Sequence, residues 1–203
     1  MLTISSYQVR SMTEADIAQV SEIEEESFST TWPRTAYRRE LSNKLAHYLV
    51  VVDSAHEPPA PQPHGRALFG LFRRREEQAQ PLEYVVGYVG VWLMVDEAHI
   101  VAIAVREAYR RRGLGELLLA EAIDLALHNA QEAVSLEVRR SNFSAQSLYE
   151  KYRFIKVGVR KRYYSDNHED AVIMSTPPIQ HVTYKEHLAY LRDIRQKRWG
   201  ETT

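Results

Sequence analysis

The chain has 203 residues, 44% of them hydrophobic, with 26 basic and 27 acidic side chains and a net charge of -1. That length and apolar content suit one mixed domain with a sizeable core, with or without appendages, and the near balance of charge gives no global reason to expect nucleic acid or membrane as a partner. There is no cysteine, which excludes a disulfide framework, a thiolate metal site and a cysteinyl acyl-enzyme, so any acyl transfer is direct or uses another nucleophile.

A short first strand is expected near Ile4 to Val9. Thr13 to Glu26 reads as a helix with Ile17, Val20 and Ile23 on one face, Thr13 as its cap and Asp16 in its first turn. Phe28 to Pro33, with Trp32 inside it, breaks the pattern, and Arg34 to Asn43 reads as a second short helix. Tyr48 to Val52, Tyr84 to Val95 and Ala98 to Val105 are strand-like runs; Gly87 and Gly90 within the second point to bulges or close backbone contacts. The run from Tyr84 to Val95 is the longest apolar stretch and falls short of the ~20 residues a bilayer span needs. The opening residues show no signal-peptide pattern, so a cytoplasmic protein is expected.

Between the first two of those strands, from Asp53 to Glu83, lies an insert with prolines at 58, 59, 61, 63 and 81. Its middle, Ala67 to Arg75, is apolar with a basic tail, of a kind that docks a partner, covers a site or stays a plain loop.

Ile103-Ala104-Val105 then runs into Arg110-Arg111-Arg112-Gly113-Leu114-Gly115-Glu116. Gly113 and Gly115 let backbone amides close around an anion at the positive end of the helix that follows, and three arginines add charge-assisted hydrogen bonds to phosphate oxygens. Leu114, Leu117, Leu118, Ala122 and Leu125 give that helix, expected to reach about Asn129, an apolar face. A P-loop would need Lys-Ser/Thr after Gly115, and a dinucleotide fingerprint would need a small residue at Leu118. Neither is present. Further on come a strand at Val134 to Val138, a helix at Ser144 to Tyr152, and strands near Ile155 to Tyr163 and Ala171 to Met174. The result is a mixed α/β domain. After Pro177-Pro178, Thr183 and Glu186 form a capping box, and Tyr184, Leu188 and Leu191 share a helical face expected to pack back on the domain. The histidines are scattered, with no metal-ligand spacing, so no metal is expected.

The pattern Arg-x-x-Gly-x-Gly from Arg110 to Gly115, behind the Ile-Ala-Val strand end, resembles the acetyl-CoA signature of the GCN5-related N-acetyltransferase (GNAT) superfamily. Leu136 to Asn142, Leu148 to Phe154, Asp96 to Ile100, Tyr163-Tyr164 and Glu169 to Met174 resemble its RimI-type ribosomal-protein alanine N-acetyltransferases. The likeness runs from about residue 84 to 174, and more faintly through Glu26-Ser27-Phe28, Trp32-Pro33 and Glu40-Leu41.

The resemblance implies a GNAT fold: a central mixed, mostly antiparallel twisted sheet flanked by helices. Residues 1–176 would form the acetyltransferase domain, with the insert at 53–83, and 177–203 a helical extension. It implies acetyl-CoA as acyl donor and a protein N-terminus as acceptor, in the nearest family case the N-terminal alanine of the eighteenth small-subunit ribosomal protein. By the same implication Glu137 is the general base and Tyr149 the general acid. The backbone of Ile103, Ala104 and Val105 binds the pantetheine arm; Arg111, Arg112, Gly113, Leu114, Gly115 and Glu116 hold the pyrophosphate; Asn142 makes a further cofactor contact. Tyr163 and Tyr164 line the acceptor groove, with Trp32 expected on its opposite wall.

Read by themselves, Glu137 suits a salt-bridged strand carboxylate and Tyr149 a core tyrosine. An amide near Ala102 to Ile103 is placed to polarise a thioester oxygen. Glu24, Glu25 and Glu26 would favour a basic residue behind the acetylated terminus, or form a solvated helix face. The motif fixes the donor only, so a lysine or small-amine acceptor, or a non-catalytic acyl-CoA-binding module, is the alternative. The lengths of the insert and tail leave partners and oligomeric state open.

Overall fold

The computed structural model describes residues 6–56 and 83–200. Most of the proline-rich insert, including its apolar patch and arginine run, lies outside the described residues. The first strand, β1, is Tyr7–Ser11 and runs two residues past the expected end at Val9; the expected start at Ile4 lies outside the described residues. A single 3-10 turn at Glu14–Asp16 precedes helix α1, Ile17–Ser27. Thr13 caps this segment as expected: the carboxylate of Asp16, in the first turn, accepts the Thr13 N–H at 2.8 Å in a capping box and pairs with Arg10 at 2.8 Å, and the opening turn has 3-10 geometry before it runs on into α1. Helix α2 (Arg34–Leu41) and strands β2 (Ala46–Asp53), β3 (Tyr84–Leu93) and β4 (Glu97–Val105) follow the expected order. Then come α3 (Leu114–His128), β5 (Ala133–Arg139), α4 (Phe143–Lys151), β6 (Ile155–Arg160), β7 (Ala171–Ser175) and α5 (Val182–Gly200).

The seven strands form one sheet in the order β1-β2-β3-β4-β5-β7-β6. Only β4 and β5 run parallel, so the sheet is mixed and mostly antiparallel, as expected. Its β2 and β3 strands are built from valines whose branched side chains fill both faces: Val50, Val51, Val52, Val85, Val86, Val89 and Val91 are all at most 1% exposed. Asp53 and Tyr84 are register partners, so the insert connects the paired ends of β2 and β3, whose register steps once, between Val51 and Val52.

Helix α3 covers one face of the sheet, with Leu114, Leu118, Ala122 and Ile123 fully buried, and α1 and α2 cover the other through Val20, Ile23 and Tyr37. Helix α5 closes the outer side of α3 and α4. Tyr184, Leu188 and Leu191 are buried, the Tyr184 hydroxyl donates to the Tyr152 carbonyl at 3.0 Å, and Arg192 pairs with Asp124. The capping box expected at Thr183 does not form. Lys185 N–H donates to the His181 carbonyl at 3.2 Å, which makes His181 the residue that opens the helix and puts Thr183 inside its first turn.

Two features of this sheet position the site. The β3–β4 register steps from Gly90↔Ala102 to Val91↔Ile100, leaving Val101 as an extra, bulged residue in β4. A Cβ on Gly90 would stand 2.5 Å from Cε1 of Tyr48, a ring that is itself buried and edge-packed on Tyr37. Gly90 therefore lets the Tyr48 ring lie flat on the strand opposite the bulge. Gly90→Ala is expected to lower stability by about 1–3 kcal/mol through overpacking, measured by urea unfolding, because the ring has nowhere to retreat.

Candidate active site

The second feature is a split. Strands β4 and β5 pair only from Glu97↔Ala133 to Ile100↔Leu136, although β4 continues to Val105 and β5 to Arg139. Beyond Ile100 the edge of β4 that faces β5 has no strand partner among the described residues, and the gap opens a cleft lined from both sides of the sheet. Ile103, Glu137, Asn142 and Tyr149 line it, and so do Trp32, Tyr163 and Tyr164. The sequence places these residues on five different elements or loops; the fold brings them to one place. Ala104, Val105 and the Arg111 to Glu116 turn do not line the cleft and instead continue along β4 from it.

Gly113 sits at the N-terminus of α3 with φ 86°, a left-handed conformation that favours glycine, and its carbonyl accepts the Leu117 N–H at 3.0 Å. The three arginines are not equivalent. Arg110 donates to the Val105 carbonyl at 3.1 Å, and Arg112 donates to the Ala108 carbonyl at 3.0 Å while lying over the Tyr109 ring. Both brace the turn from within. Arg111, exposed and at φ 65°, stands at the tip. The Glu116 carboxylate is turned away from the turn. Burial disfavours its charge, but Lys151 at 2.6 Å and Arg198 at 3.3 Å outweigh that and hold its pKa below the usual range. Its side chain fastens α4 and α5 to the turn, and only its backbone remains to meet an anion.

Glu137 lies on β5, its side chain 10% exposed, and both oxygens are engaged: Oε2 with His99 Nε2 at 3.0 Å and Oε1 with Arg160 Nη2 at 3.0 Å. The salt-bridged reading is therefore correct, and the same carboxylate also lines the cleft. Tyr149, on α4, is 5% exposed and packs on Phe154 at 5.8 Å. Burial, then the neighbouring Tyr164, push its hydroxyl pKa up, so it stays protonated and can act as a donor but not as a base. Asn142 caps α4, its Oδ1 accepting the Ala145 N–H at 3.1 Å. Its side-chain NH2 group is a separate donor at the cleft.

The far wall is made of two loops that clasp each other. Strand β6 ends at Arg160, short of the expected Tyr163, so Tyr163 and Tyr164 stand in the β6–β7 loop with their rings edge-to-face at 5.2 Å. Arg139 lies 3.8 Å over the Tyr164 ring, pairs with Asp166 at 3.0 Å and reaches Ser29 Oγ at 3.3 Å; Ser29 donates to Asp166 at 2.7 Å. The α1–α2 loop, with Trp32, is thereby tied to the tyrosine loop across the cleft. Burial raises the Tyr164 pKa to about 12.

Of the consecutive glutamates Glu24, Glu25 and Glu26 of α1, Glu25 is exposed and Glu26 pairs with Arg106 at 2.9 Å. Glu24 alone lines the cleft, 4% exposed, its carboxylate accepting the Trp32 N–H at 3.1 Å and its pKa raised by burial. The roles of Arg139, Arg160 and His99 were not legible in the sequence, because each depends on a partner at least 23 positions away.

A profile of the Acetyltransferase (GNAT) family matches residues 17–154. The chain belongs to the GNAT acetyltransferase family. N-acetyl transfer is its reaction class. It is 37% identical over 167 residues to a Bacillus subtilis (strain 168) protein provisionally named a [ribosomal protein bS18]-alanine N-acetyltransferase, covering 82% of this chain and 92% of that one. An N-alpha-acetyltransferase of Sulfolobus acidocaldarius is 31% identical over 175 residues, covering 85% and 93%. In fold, the chain matches the crystal structure of the ribosomal-protein-S18-alanine N-acetyltransferase from Escherichia coli with a TM-score of 0.64 at 24% identity, covering 85% of this chain and 94% of that one. No helix among the described residues is long and apolar enough to cross a membrane.

The clasp has an acid limit. Glu169 accepts the Ser141 N–H at 2.6 Å and meets Arg139 at 3.3 Å, and these bonds, Ser141's foremost, lower its pKa from 4.5 to about 2. A folded-state pKa below the unfolded one adds stability that is complete above the unfolded value and lost as pH falls through the folded one. Urea unfolding of wild type against Glu169→Gln is expected to show a stability difference that is constant above pH 4.5 and shrinks between pH 4.5 and about 2.

Proposed function

We propose that the protein transfers an acetyl group from acetyl-CoA to the α-amine of a protein, with the N-terminal alanine of a small-subunit ribosomal protein as the favoured acceptor. The observation that carries this reading is the split between β4 and β5, which sets a free strand edge beside a cleft shared by Glu137, Tyr149 and the two-loop clasp. Two relatives support the acceptor: one is provisionally named a [ribosomal protein bS18]-alanine N-acetyltransferase and the other an N-alpha-acetyltransferase.

The residues fit coenzyme A. The pantetheine arm carries amides that pair with a strand edge, and the β4 edge at Ile103 to Val105 lacks one. The turn before α3, with Gly113, exposed Arg111 and the helix N-terminus, suits a pyrophosphate. When bound, the coenzyme supplies an activated acetyl group as a thioester. Residues 1–176 are the catalytic unit, and 177–203 extend it through α5, whose Arg198 reaches back to Glu116.

An α-ammonium with a pKa of about 7.7–8.0 must lose a proton before its nitrogen can attack. Glu137 accepts that proton, directly or through a water. The amine nitrogen attacks the thioester carbonyl carbon in a ternary complex while a backbone amide near the Val101 bulge polarises the carbonyl oxygen; as the C–S bond breaks, Tyr149 donates its phenolic proton to the departing thiolate and is reprotonated by the second proton that the acylated nitrogen sheds. Trp32, Tyr163 and Tyr164 hold the acceptor peptide. No step calls for nucleic acid or membrane.

Incubation with acetyl-CoA and a panel of short peptides tests the reading: acetylation of free N-termini led by Ala-Arg is expected, with none on lysine peptides whose N-termini are blocked. The reverse pattern would assign a side-chain acceptor instead. Glu137→Gln and Tyr149→Phe are expected to lower kcat by ~10²–10⁴, with the calorimetric Kd for coenzyme A unchanged.

A further inference from the structure

Helix α5 runs antiparallel along α3. Its contacts step back through α3 as the chain goes forward: Arg192 with Asp124, Arg198 with Glu116 at 3.3 Å, and Trp199 with Gly113. At the last of these points the indole takes the space that a side chain on Gly113 would fill. A Cβ at Gly113 would stand 3.3 Å from Trp199 Nε1, 3.8 Å from Cζ2 and 3.9 Å from Cε2. Trp199 is half-buried, and its ring packs on that of Tyr7 in β1 with 6.4 Å between centroids. Tyr7 in turn meets the Tyr109 ring edge-to-face at 6.4 Å, and its hydroxyl accepts from Arg112 Nη1 at 3.3 Å. The stretch from Tyr109 to Gly113 is thus backed by side chains from β1 and α5.

The backing comes from the side away from the cleft. Strand β1 stands three strands from β4, on the flank opposite β5, and Trp199 does not line the cleft. The ring supports the turn and leaves its β5 side to a ligand. Gly113 holds φ 86°, and a glycine has more backbone freedom to lose than any other residue. A turn that wandered until the ligand arrived would have to be ordered at each binding event, at the expense of affinity. With the indole in contact, it is ordered beforehand.

We propose that Trp199 is a positioning residue for acetyl-CoA: acting through Gly113, its indole holds the turn before α3 in the conformation that presents backbone amides to the pyrophosphate, which makes α5 part of the donor site. This rests on the reading above that the turn takes the pyrophosphate of the coenzyme. The Glu116–Arg198 pair seats the ring, since it fixes the same stretch of α5 against the first turn of α3, and Lys151 at 2.6 Å ties that carboxylate to α4 as well. Because the ring acts on the turn and not on the reacting atoms, its loss weakens donor binding and leaves the acetyl-transfer step intact. The dependence is confined to the part of the donor that meets the turn. A thioester without the pyrophosphate gains nothing from an ordered turn.

The test uses Trp199→Ala and Trp199→Phe in the full chain. For Trp199→Ala the calorimetric Kd for coenzyme A is expected to rise about tenfold, the scale of ordering one residue's backbone, while kcat at saturating acetyl-CoA and the peptide KM stay at their wild-type values. Trp199→Phe, which keeps a ring against Gly113, is expected to recover most of the affinity. With S-acetylpantetheine, a donor that lacks the pyrophosphate, wild type and Trp199→Ala are expected to give the same kcat/KM. A tryptophan that served stability alone would lower resistance to urea and leave Kd where it was, or impair both donors equally. Either result overturns the proposal, and so does a kcat that falls with Kd unchanged. Wild type that gives no heat with coenzyme A would instead sink the reading of the turn on which the proposal rests.

Discussion

The site depends on a single departure from regular pairing. In a parallel pair the hydrogen bonds are evenly spaced and nothing in the ladder itself ends it. Here β4 and β5 hold register for four residue pairs and then diverge. An unpaired strand edge inside a protein is normally a liability, since each buried amide without a partner is destabilising. It persists because the bulge at Val101 turns β4 away, the buried Tyr48 ring fills the space over Gly90, and α1 holds the end of β4 through Arg106, which pairs with Glu22 at 2.8 Å and Glu26 at 2.9 Å. The edge suits an extended ligand whose own amides complete the pairing.

The paired part of the same two strands does the opposite work. Where the ladder is intact it sets His99 beside Glu137; where it opens, the carboxylate meets the cleft. Rigidity and access are thus assigned to adjoining stretches of the same strands. The two loops on the far wall are held to each other through Arg139, Asp166 and Ser29, so that side of the cleft is shaped by side-chain bonds and not by backbone pairing.

Local periodicity carried most of the fold. The valine runs of β2 and β3, the leucines of α3 and the apolar stripe of α5 each have one dominant period and one way to be buried, and each forms where its pattern places it. The misses trace to particular hydrogen bonds. His181 displaced Thr183 as the residue that opens α5, and β6 stopped at Arg160 because the residues on either side of Tyr163 bond within the loop, Arg162 N–H to Asp170 and Tyr164 N–H to the Glu169 carbonyl. At the site, the turn at Gly113 was legible because its chemistry is contiguous. The partners of Glu137 were not, since His99 and Arg160 stand 38 and 23 positions from it and only the sheet order β4-β5-β7-β6 makes them neighbours. What the triplet's pattern did not show is that Arg110 and Arg112 also bond the carbonyls of Val105 and Ala108 and so brace the turn.

The pairing of Asp53 with Tyr84 has a consequence of its own. Both ends of the segment between them are fixed at adjacent points of a rigid sheet, so lengthening it adds closure entropy only logarithmically, about 0.6 kcal/mol for each doubling. Asp53 and Tyr84 themselves do not line the cleft. Within this architecture that connection is the place where a lineage can append a recognition element, and a laboratory a reporter, without retuning the chemistry.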